Sequence, residues 1–535
     1  MKQKSLAIIL TAALSLGLLA GCGQSSAPAA ANDGAAAKTE AAASEDTAEA
    51  AGAAFEVATV RWADWGEDYH TGMPDKAAAE LGITINWDTI INSDWADKKA
   101  VLMAGNELPD AFMGSICFSE SDIQQNIGSF IQLDEYIDKY MPNLKAILDS
   151  DPTMKALATS SDGHIYGLPA KKPCRPTVSN QMFINQTWLD NLGLSMPTTY
   201  DEFVEVLRAF KEQDANGNGD ANDEIPFGQG YADSVYFYCL PFGTNVGADS
   251  TYDMVIKDGK PVYLPISDSY KAGIKAMSEA FAEGLIDQEL FTEDTSMRDA
   301  KLMNETPIVG VAPGWTADST FGANAGQYVA LPALKGPDGK AYVSSDPEHS
   351  NYSRYEFMVT TACADPGTLL SWVDTFYTED ASIQNFYGEF DKAIAKADDG
   401  TYTVLEPNDG NSADTFAWVN SLRDFGPKYV QDGFNAKVKY AGANGDASKL
   451  ALDTEFAPLA TQAYPNVSYE QDQLAALSIL FVDIDAYVNT MQATWVTEGG
   501  VDEQWDAYIA QLEAMGLSDF TGIMQAAFDT YEASK

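Results

Sequence analysis

The sequence predicts an α/β protein with a largely parallel sheet and a chain long enough for two lobes. Stretches rich in apolar and β-branched residues alternate with amphipathic helical patterns, which is the order of β–α–β units. The chain has 535 residues, of which 45% are hydrophobic, so it can fill two hydrophobic cores.

The first residues predict export and attachment to a membrane. Residues 1–21 have the form of a signal peptide, with Lys2 and Lys4 before an apolar run at 6–20 that is too short to span a bilayer permanently. The run ends in Leu-Ala-Gly-Cys, which looks like a lipobox whose Cys22 becomes the lipidated first residue. The following stretch, 22–54, is dominated by Ala, Ser, Glu and Gly and is expected to be a flexible tether. We therefore expect an extracytoplasmic protein that is lipid-anchored to the outer face of the cell membrane.

Predicted strands and helices follow the tether. The patterns predict strands over 55–62, 83–87 and 108–113, and a helix over 95–103 before the third strand. Ligands of such sheets gather at the carboxyl ends of strands, where aromatic faces suit the C–H surface of a sugar and carboxylates suit its hydroxyls. Core packing explains Trp65 and Trp315 equally well. The predicted ligand-binding residues follow strand ends: Trp62, Asp64, Trp65, Ser115 and Trp315.

A helix and an oxygen-rich loop occupy the middle of the chain. Thr199 and Glu202 form a capping-box pattern, and apolar residues at helical spacing predict a helix over 200–213. Alternating Asp and Asn residues then precede Gly219, as in the first half of an EF-hand loop, which indicates a structural calcium site. A polar loop without metal is the alternative, because Ile225 stands at the twelfth position. The predicted calcium ligands are Asp214, Asn216, Asn218, Asp220, Asp223 and Glu224.

Charge and cysteine content exclude some functions. The net charge of −47 argues against nucleic acid as a partner and favours a neutral or cationic ligand. Cys117, Cys174, Cys239 and Cys363 match no zinc pattern, and the sequence leaves their pairing open.

Several patches carry a resemblance to a known family. They are W-L-D-N-L-G-L-x-x-P-T-T-Y-D-E-F at 188–203, D-x-N-G-N-G at 214–219 and D-E-I-P at 223–226, with further patches at 163–169 and 504–508. In these the chain resembles the solute-binding lipoproteins of bacterial ABC importers, of the sugar- and oligosaccharide-binding type that includes alginate-oligosaccharide-binding proteins. Members carry an EF-hand-like calcium loop here, usually one residue shorter. The ligand set in this chain therefore stays open.

The resemblance implies an architecture and a role. It implies a two-lobe, type II periplasmic-binding-protein-like α/β fold with the ligand cleft between the lobes. We expect the N-terminal lobe to comprise 55–170 and about 307–355, and the C-terminal lobe 171–306 and about 356–535. The implied function is capture of a carbohydrate, expected to be an oligosaccharide, by hinge closure, without catalysis. The implied partners are the permease subunits of an ABC transporter, and the protein itself is expected to be a monomer.

Two other functions are compatible with the residues. One is a secreted calcium-dependent glycosidase or lyase. A glycosidase needs a carboxylate pair at a fixed separation, and 79 acidic residues neither identify nor exclude one. A peptide or amino-acid binder needs charged partners for the ligand termini, and the chain has only 32 Lys and Arg. No G-x-S-x-G, H-E-x-x-H or P-loop pattern occurs in the sequence.

Overall fold

The computed structural model describes residues 52–61, 68–105, 107–172, 180–244, 252–344, 352–408, 413–442, 452, 455–460 and 463–535. The strands are β1 Ala54–Arg61, β2 Thr84–Ile91, β3 Ala111–Met113, β4 Leu168–Lys171, β5 Gln181–Asn185, β6 Ile225–Phe227, β7 Met254–Lys257, β8 Lys260–Tyr263, β9 Val309–Gly314, β10 Tyr328–Ala330, β11 Tyr352–Val359, β12 Ile394–Lys396, β13 Tyr402–Val404 and β14 Val438–Tyr440. The helices are α1 Met73–Glu80, α2 Asn92–Gly105, α3 Glu120–Gln125, α4 Asp134–Tyr140, α5 Pro142–Ser150, α6 Pro152–Ala158, α7 Gln186–Leu192, α8 Tyr200–Glu212, α9 Ser234–Cys239, α10 Asp268–Ala282, α11 Thr295–Leu302, α12 Ala317–Phe321, α13 Pro366–Asp374, α14 Glu379–Tyr387, α15 Ala413–Asn420, α16 Gln471–Glu498, α17 Val501–Ala514 and α18 Leu517–Ser534.

The first sheet has five strands in the order β2-β1-β3-β11-β4. β1 runs parallel to β2 and β3, as the predicted alternation of strands and helices requires, and β11 enters antiparallel between β3 and β4. Val57 packs into a core on one face of the sheet and Val60 into a core on the other. Burial on both faces explains why the first strand alternates only weakly in sequence. The predicted α/β architecture is confirmed, but the sheet is mixed and not largely parallel, because both pairings of β11 are antiparallel.

The second sheet has four strands in the order β10-β5-β9-β6. β5 is antiparallel to β9 and β10, whereas β6 is parallel to β9. The largest core of the described residues covers this sheet and is filled from α7, α8, α10 and the three C-terminal helices, with Trp188, Phe203, Tyr270 and Trp495 at its centre. The protein therefore has a second lobe with its own core.

The observed division of the chain between the lobes differs from the predicted boundaries. β9 and β10 lie in the second sheet, although 307–355 was predicted in the N-terminal lobe. β11 and α13 complete the core of the first sheet, although 356–535 was predicted in the C-terminal lobe. An apolar strand pattern does not show which sheet a strand joins, because the pairing partner is distant in sequence. In the described chain the first lobe comprises 52–172 and 352–442, and the second 180–344 and 452–535.

Helix α16 is a core helix of the second lobe. Among the described residues it is the one helix long and apolar enough to cross a bilayer. Leu477, Ile484 and Trp495 nevertheless pack into the second-lobe core, and Ile479 and Val482 are exposed. Its apolar content therefore serves packing on one face.

Three of the cysteines are free and buried: Cys117, Cys239 and Cys363. Burial raises the pKa of the Cys117 and Cys363 thiols, each to about 12, which keeps them protonated. Cys174 lies outside the described residues.

Candidate functional site

The carboxyl end of β3 forms part of the cleft wall of the first lobe. Gly114 follows the strand with a φ of 113°, which glycine adopts without steric cost. Its N–H donates to the Glu356 carbonyl at 2.9 Å, and the Ser115 N–H donates to the Glu356 carboxylate at 3.2 Å. Glu356 is fully buried on β11, so it fixes the turn that presents Ser115.

A cavity of about 510 Å³, here called the interlobe cavity, lies between the two lobes. The first lobe contributes residues from the end of β3, the start of α3 and the start of β11, whereas the second lobe contributes three tyrosines among seven lining residues. The residues that carry polar groups or rings are Ser115, Phe118, Ser119, Glu120, Ser121, Lys172, Tyr352, Ser353, Arg354 and Tyr355 from the first lobe, and Tyr252, Tyr464, Asn466 and Tyr469 from the second. Both walls therefore offer hydroxyls and aromatic faces to one ligand.

Glu120 connects the two lobes at this cavity. The Ser468 hydroxyl, from the second lobe, donates to Glu120 Oε1 at 2.8 Å, and the Tyr355 hydroxyl donates to Oε2. The Arg354 guanidinium lies 3.4 Å from Oε2 and donates to the Thr159 carbonyl at 3.0 Å. The Gln124 amide also donates to Oε1 at 3.3 Å, so the Glu120 carboxylate holds one charged and two neutral partners from its own lobe and one hydroxyl from the other.

A strand irregularity places Tyr355 beside Glu120. The register between β11 and β4 shifts between Ser353 and Phe357, and Tyr355 has a φ of 54°. A bulky residue in the left-handed region is strained, and such strain persists where the surroundings fix it. Burial also raises the pKa of Tyr355 above its ordinary value, so the ring keeps its proton and donates.

A second cavity, of about 490 Å³ and here called the second-lobe cavity, opens at the carboxyl end of β6. Gly230 lies there so close to β9 that a Cβ would be 1.8 Å from the Pro313 carbonyl oxygen, which only glycine avoids. The Tyr231 N–H donates to the same carbonyl at 3.0 Å. Tyr231 itself is 40% exposed and lines the cavity. Asn180, Gln229, Tyr236, Thr244 and Ser344 add polar groups to the lining.

One cation of the second-lobe cavity is paired with a neighbouring carboxylate. The Arg298 guanidinium lies 4.1 Å from the centroid of the Tyr231 ring. Its Nε and Nη2 donate to Asp299 Oδ1 at 3.0 and 2.8 Å, and the Tyr231 hydroxyl donates to the same oxygen at 2.8 Å. The charge of Arg298 is therefore balanced before any ligand arrives.

Two further carboxylates line the second-lobe cavity. Asp233 caps helix α9, since its Oδ1 accepts from the Val235 and Tyr236 N–H groups at 2.9 and 3.0 Å. Asp253 has a φ of 51° directly before β7. Desolvation, followed by the charges of Asp233 and Asp485, raises the pKa of Asp253 to about 7. Desolvation also raises the pKa of Asp233.

The structure brings one predicted ligand residue to a cavity and leaves others open. Ser115 lines the interlobe cavity. Trp315 follows β9 at the cleft edge of the second sheet and is half-buried, but it is not among the residues that line the two cavities described above. Trp62, Asp64 and Trp65 lie outside the described residues.

Sequence reasoning missed most of the lining. Tyr464, Tyr469 and Arg354 lie in stretches without a period or a motif, and only folding brings them to one cavity. Tyr231 is likewise absent from the predicted ligand-binding residues, yet it is exposed and lines the second-lobe cavity.

The predicted calcium loop follows helix α8 and has a regular internal pattern. Side-chain oxygens of Asn216, Asn218 and Asp220 each accept a hydrogen bond from the backbone N–H two residues later, at 2.9, 2.7 and 3.1 Å. Asp214 Oδ2 accepts from the Gly219 N–H at 2.9 Å. Asp223 instead accepts from the two asparagine amides, at 3.2 and 2.6 Å. The alternating oxygens therefore turn the backbone around one centre.

Two carboxylate oxygens in this loop are buried without a hydrogen-bond partner: Asp214 Oδ1 and Glu224 Oε2. The other Glu224 oxygen accepts from the Ala215 N–H at 2.9 Å, and desolvation raises the pKa of the Glu224 carboxyl. A buried oxygen without a donor is costly unless a proton or a cation satisfies it. Within the described residues no three His, Cys, Asp or Glu side chains converge as a metal site, so a cation here needs amide or backbone oxygens as well.

Comparison with known proteins places the chain among binding proteins. The family model described as "Bacterial extracellular solute-binding protein" matches residues 62–383. The fructooligosaccharide ABC transporter substrate-binding protein FusA of Streptococcus pneumoniae serotype 4 is 33% identical over 482 residues, which cover 85% of this chain and 86% of that protein.

Solved structures extend the comparison. An EF-hand mutant of FusA in complex with fructo-nystose superimposes with a TM-score of 0.76 at 30% identity, over 90% of this chain and all of that one. An HMO-binding, ABC-transporter-associated solute-binding protein from Bifidobacterium longum infantis gives a TM-score of 0.76 at 28% identity, over 90% and 99% of the two chains. Lipoprotein LipO of Bacillus subtilis is 26% identical over 61% of this chain and 64% of its own length. The structural matches span both sheets.

Proposed function

The chain belongs to the bacterial extracellular solute-binding proteins, and from this premise we propose that it captures an oligosaccharide for import by an ABC transporter. It is a binding protein and not an enzyme, as are its relatives, so the glycosidase and lyase alternatives are not retained. The proposal of an oligosaccharide draws on FusA and on the HMO-binding relative.

The observation that carries the proposal is the interlobe cavity, which is lined from both lobes. Tyr252 and Tyr469 stand on one wall, and Tyr352 and Ser115 on the other. A ligand that contacts both walls gains all its contacts only when the lobes are close, so binding shifts the population towards closure. Tyrosine rings offer apolar area to the sugar face, and the hydroxyl and amide groups hold its hydroxyls. We include Trp62, Asp64, Trp65 and Trp315 among the proposed ligand residues.

A binding screen tests the proposed function. Titration calorimetry of the full chain against neutral oligosaccharides, oligouronides, peptides and amino acids is expected to give saturable binding with oligosaccharides alone, and no product after long incubation. Trp315→Ala is expected to weaken that binding at least tenfold, whereas Trp188→Phe, in the second-lobe core, serves as a control away from the cleft. Binding of peptides alone, or turnover of a glycan, would refute the proposal.

We propose that the loop after α8 holds a structural calcium ion. Asp214 Oδ1 and Glu224 Oε2 are the buried oxygens that lack a donor, and Asn216, Asn218, Asp220 and Asp223 complete an oxygen-rich surround. The EF-hand of FusA supports a loop of this kind in a relative. Calcium would neutralise the charges of the loop and cross-link it. The loop is distant in sequence from the residues that line the interlobe cavity.

We propose that the protein acts as a monomer at the outer face of the membrane, anchored by lipid on Cys22. The family is extracellular, and the relationship to Lipoprotein LipO supports the lipid anchor. The tether over 22–54 lets the lobes reach permease subunits while they remain attached. Both segments lie outside the described residues, apart from 52–54.

A further inference from the structure

We propose that the second-lobe cavity receives an uncharged, hydroxyl-donating sugar unit and excludes a uronic acid. The inference deepens the proposed function and rests on it, because it assigns the charge class of the sugar. The supporting observations are the hydrogen-bond and ion-pair partners of the charged groups around this cavity.

Among its described lining residues, the cavity has no cation without an acidic partner. Arg298 is the one Lys or Arg in that lining. Its two donating nitrogens are directed to Asp299, and its face is stacked on the Tyr231 ring. A carboxylate of a sugar would therefore meet a guanidinium whose charge is already balanced by Asp299.

The remaining charged groups of the cavity are acceptors. Asp233 uses Oδ1 for the helix cap, which leaves Oδ2 without a donor in the described part of the chain. Asp253 has Tyr236 as a hydrogen-bond partner. A sugar hydroxyl donates well to such carboxylates, because hydrogen bonds to ionised acceptors are about twice as strong as neutral ones. The cavity thus matches a donor ligand.

The surroundings of Asp253 add only acidic and neutral groups. The titratable side chains that act on it or feel its charge are Asp233, Asp485, Tyr236, Tyr263, Tyr270 and Tyr508. A second carboxylate brought among them meets like charges, which disfavours it. Lys172 and Tyr252 line the interlobe cavity. Asp253, the residue after Tyr252, lines the second-lobe cavity. A single acidic unit can therefore be held beside Lys172, but an oligomer made wholly of uronic acid also places one beside Asp253.

The test compares a neutral oligosaccharide with a galacturonate oligomer of the same length, by calorimetry with the full chain at pH 8. Wild-type protein is expected to bind the best neutral ligand at least 100-fold more tightly than the uronide. Asp253→Asn keeps the shape and suits the left-handed backbone. It is expected to weaken the neutral ligand about tenfold and to strengthen the uronide, and Asp233→Asn, which can still cap α9, is expected to act in the same direction.

The control is Asp258→Asn. Asp258 has the same φ of 51° in the exposed turn between β7 and β8, so the same substitution there should change neither ligand. Equal affinity for the two ligands, or parallel weakening of both in Asp253→Asn, would overturn the inference while leaving sugar capture intact. Binding of no oligosaccharide of either charge would overturn the proposed function and the inference together.

Discussion

At the scale of single residues, the stability of the ligand-free protein and the binding of a sugar favour different protonation states of Asp253. Desolvation and neighbouring acids raise its pKa to about 7, against an ordinary value of 3.8. The folded ligand-free protein therefore favours the protonated carboxyl, whereas a sugar hydroxyl is better accepted by the carboxylate. The contribution of Asp253 to stability is fully present below its unfolded pKa and is lost as the pH rises through about 7.

Asp253→Asn is expected to stabilise the ligand-free protein at pH 8 and, by less than half as much, at pH 5. Asn resembles the protonated carboxyl, so the gain is the free energy lost by ionisation of Asp253, at most about 4 kcal/mol at 1.36 kcal/mol per pKa unit. Differential scanning calorimetry at the two pH values measures it, with Asp258→Asn as the matched control. A lower melting temperature of Asp253→Asn at pH 8 would contradict this account of the site.

At the scale of elements, α8 and the loop after it form one locally determined unit. The Thr199 hydroxyl accepts from the Glu202 N–H at 3.2 Å, and the helix ends at Glu212, two residues before the first predicted calcium ligand. The Glu202 carboxylate accepts from the Thr198 N–H at 2.8 Å, so it reaches one residue beyond the position that a capping box uses. Short-range patterns of this kind are visible in sequence because both partners lie within one turn.

Calcium is expected to raise the melting temperature, and a chelator to lower it, through the two partnerless oxygens of this loop. Asp214→Asn removes one charge and should abolish the difference between calcium and chelator, at a cost of about 1–3 kcal/mol in the calcium-loaded state. Thermal melts of wild type, Asp214→Asn and Asp258→Asn, each with calcium and with chelator, give the comparison. Identical wild-type melts under the two conditions would leave the loop as a plain polar turn.

At the scale of the whole molecule, the chain passes between the lobes three times, between residues 172 and 180, 344 and 352, and 442 and 452. At the interlobe cavity a charge-assisted hydrogen bond joins the lobes, from Ser468 to Glu120. Its strength bears on the balance between open and closed forms, since it exists only when the lobes meet.

Ser468→Ala is expected to shift the ligand-free protein towards the open form and to weaken ligand binding between about threefold and tenfold, the equivalent of a hydrogen bond worth about 1 kcal/mol. Small-angle X-ray scattering measures the radius of gyration, and calorimetry the affinity. Ser478→Ala is the control, because the Ser478 hydroxyl bonds only within helix α16, to the Ala475 carbonyl. An unchanged radius and affinity in Ser468→Ala would show that this contact does not hold the lobes.

How much the sequence predicts depends on how far apart the interacting residues lie. The strand at Ala54–Arg61 and helix α8 agree with the predicted elements within a few residues.

The lobe boundaries and the cavity depend on contacts between distant residues. β9 pairs with β5 across more than 120 positions, and Arg354 reaches Glu120 across more than 230. No local period in the sequence encodes such partners. The assignment of 307–355 to the N-terminal lobe was therefore wrong, and Tyr252, Tyr464 and Tyr469 of the interlobe cavity were not predicted.

The position of β11 has a consequence for biogenesis. Because this strand fills the gap between β3 and β4, the first sheet stays in two pieces until residue 359 has emerged from the export machinery. Until then the β3 and β4 edges lack their neighbour and are open to mispairing with other chains. Truncation before residue 352 is therefore expected to yield an aggregation-prone fragment, and the first sheet closes only after about two thirds of the polypeptide has been delivered.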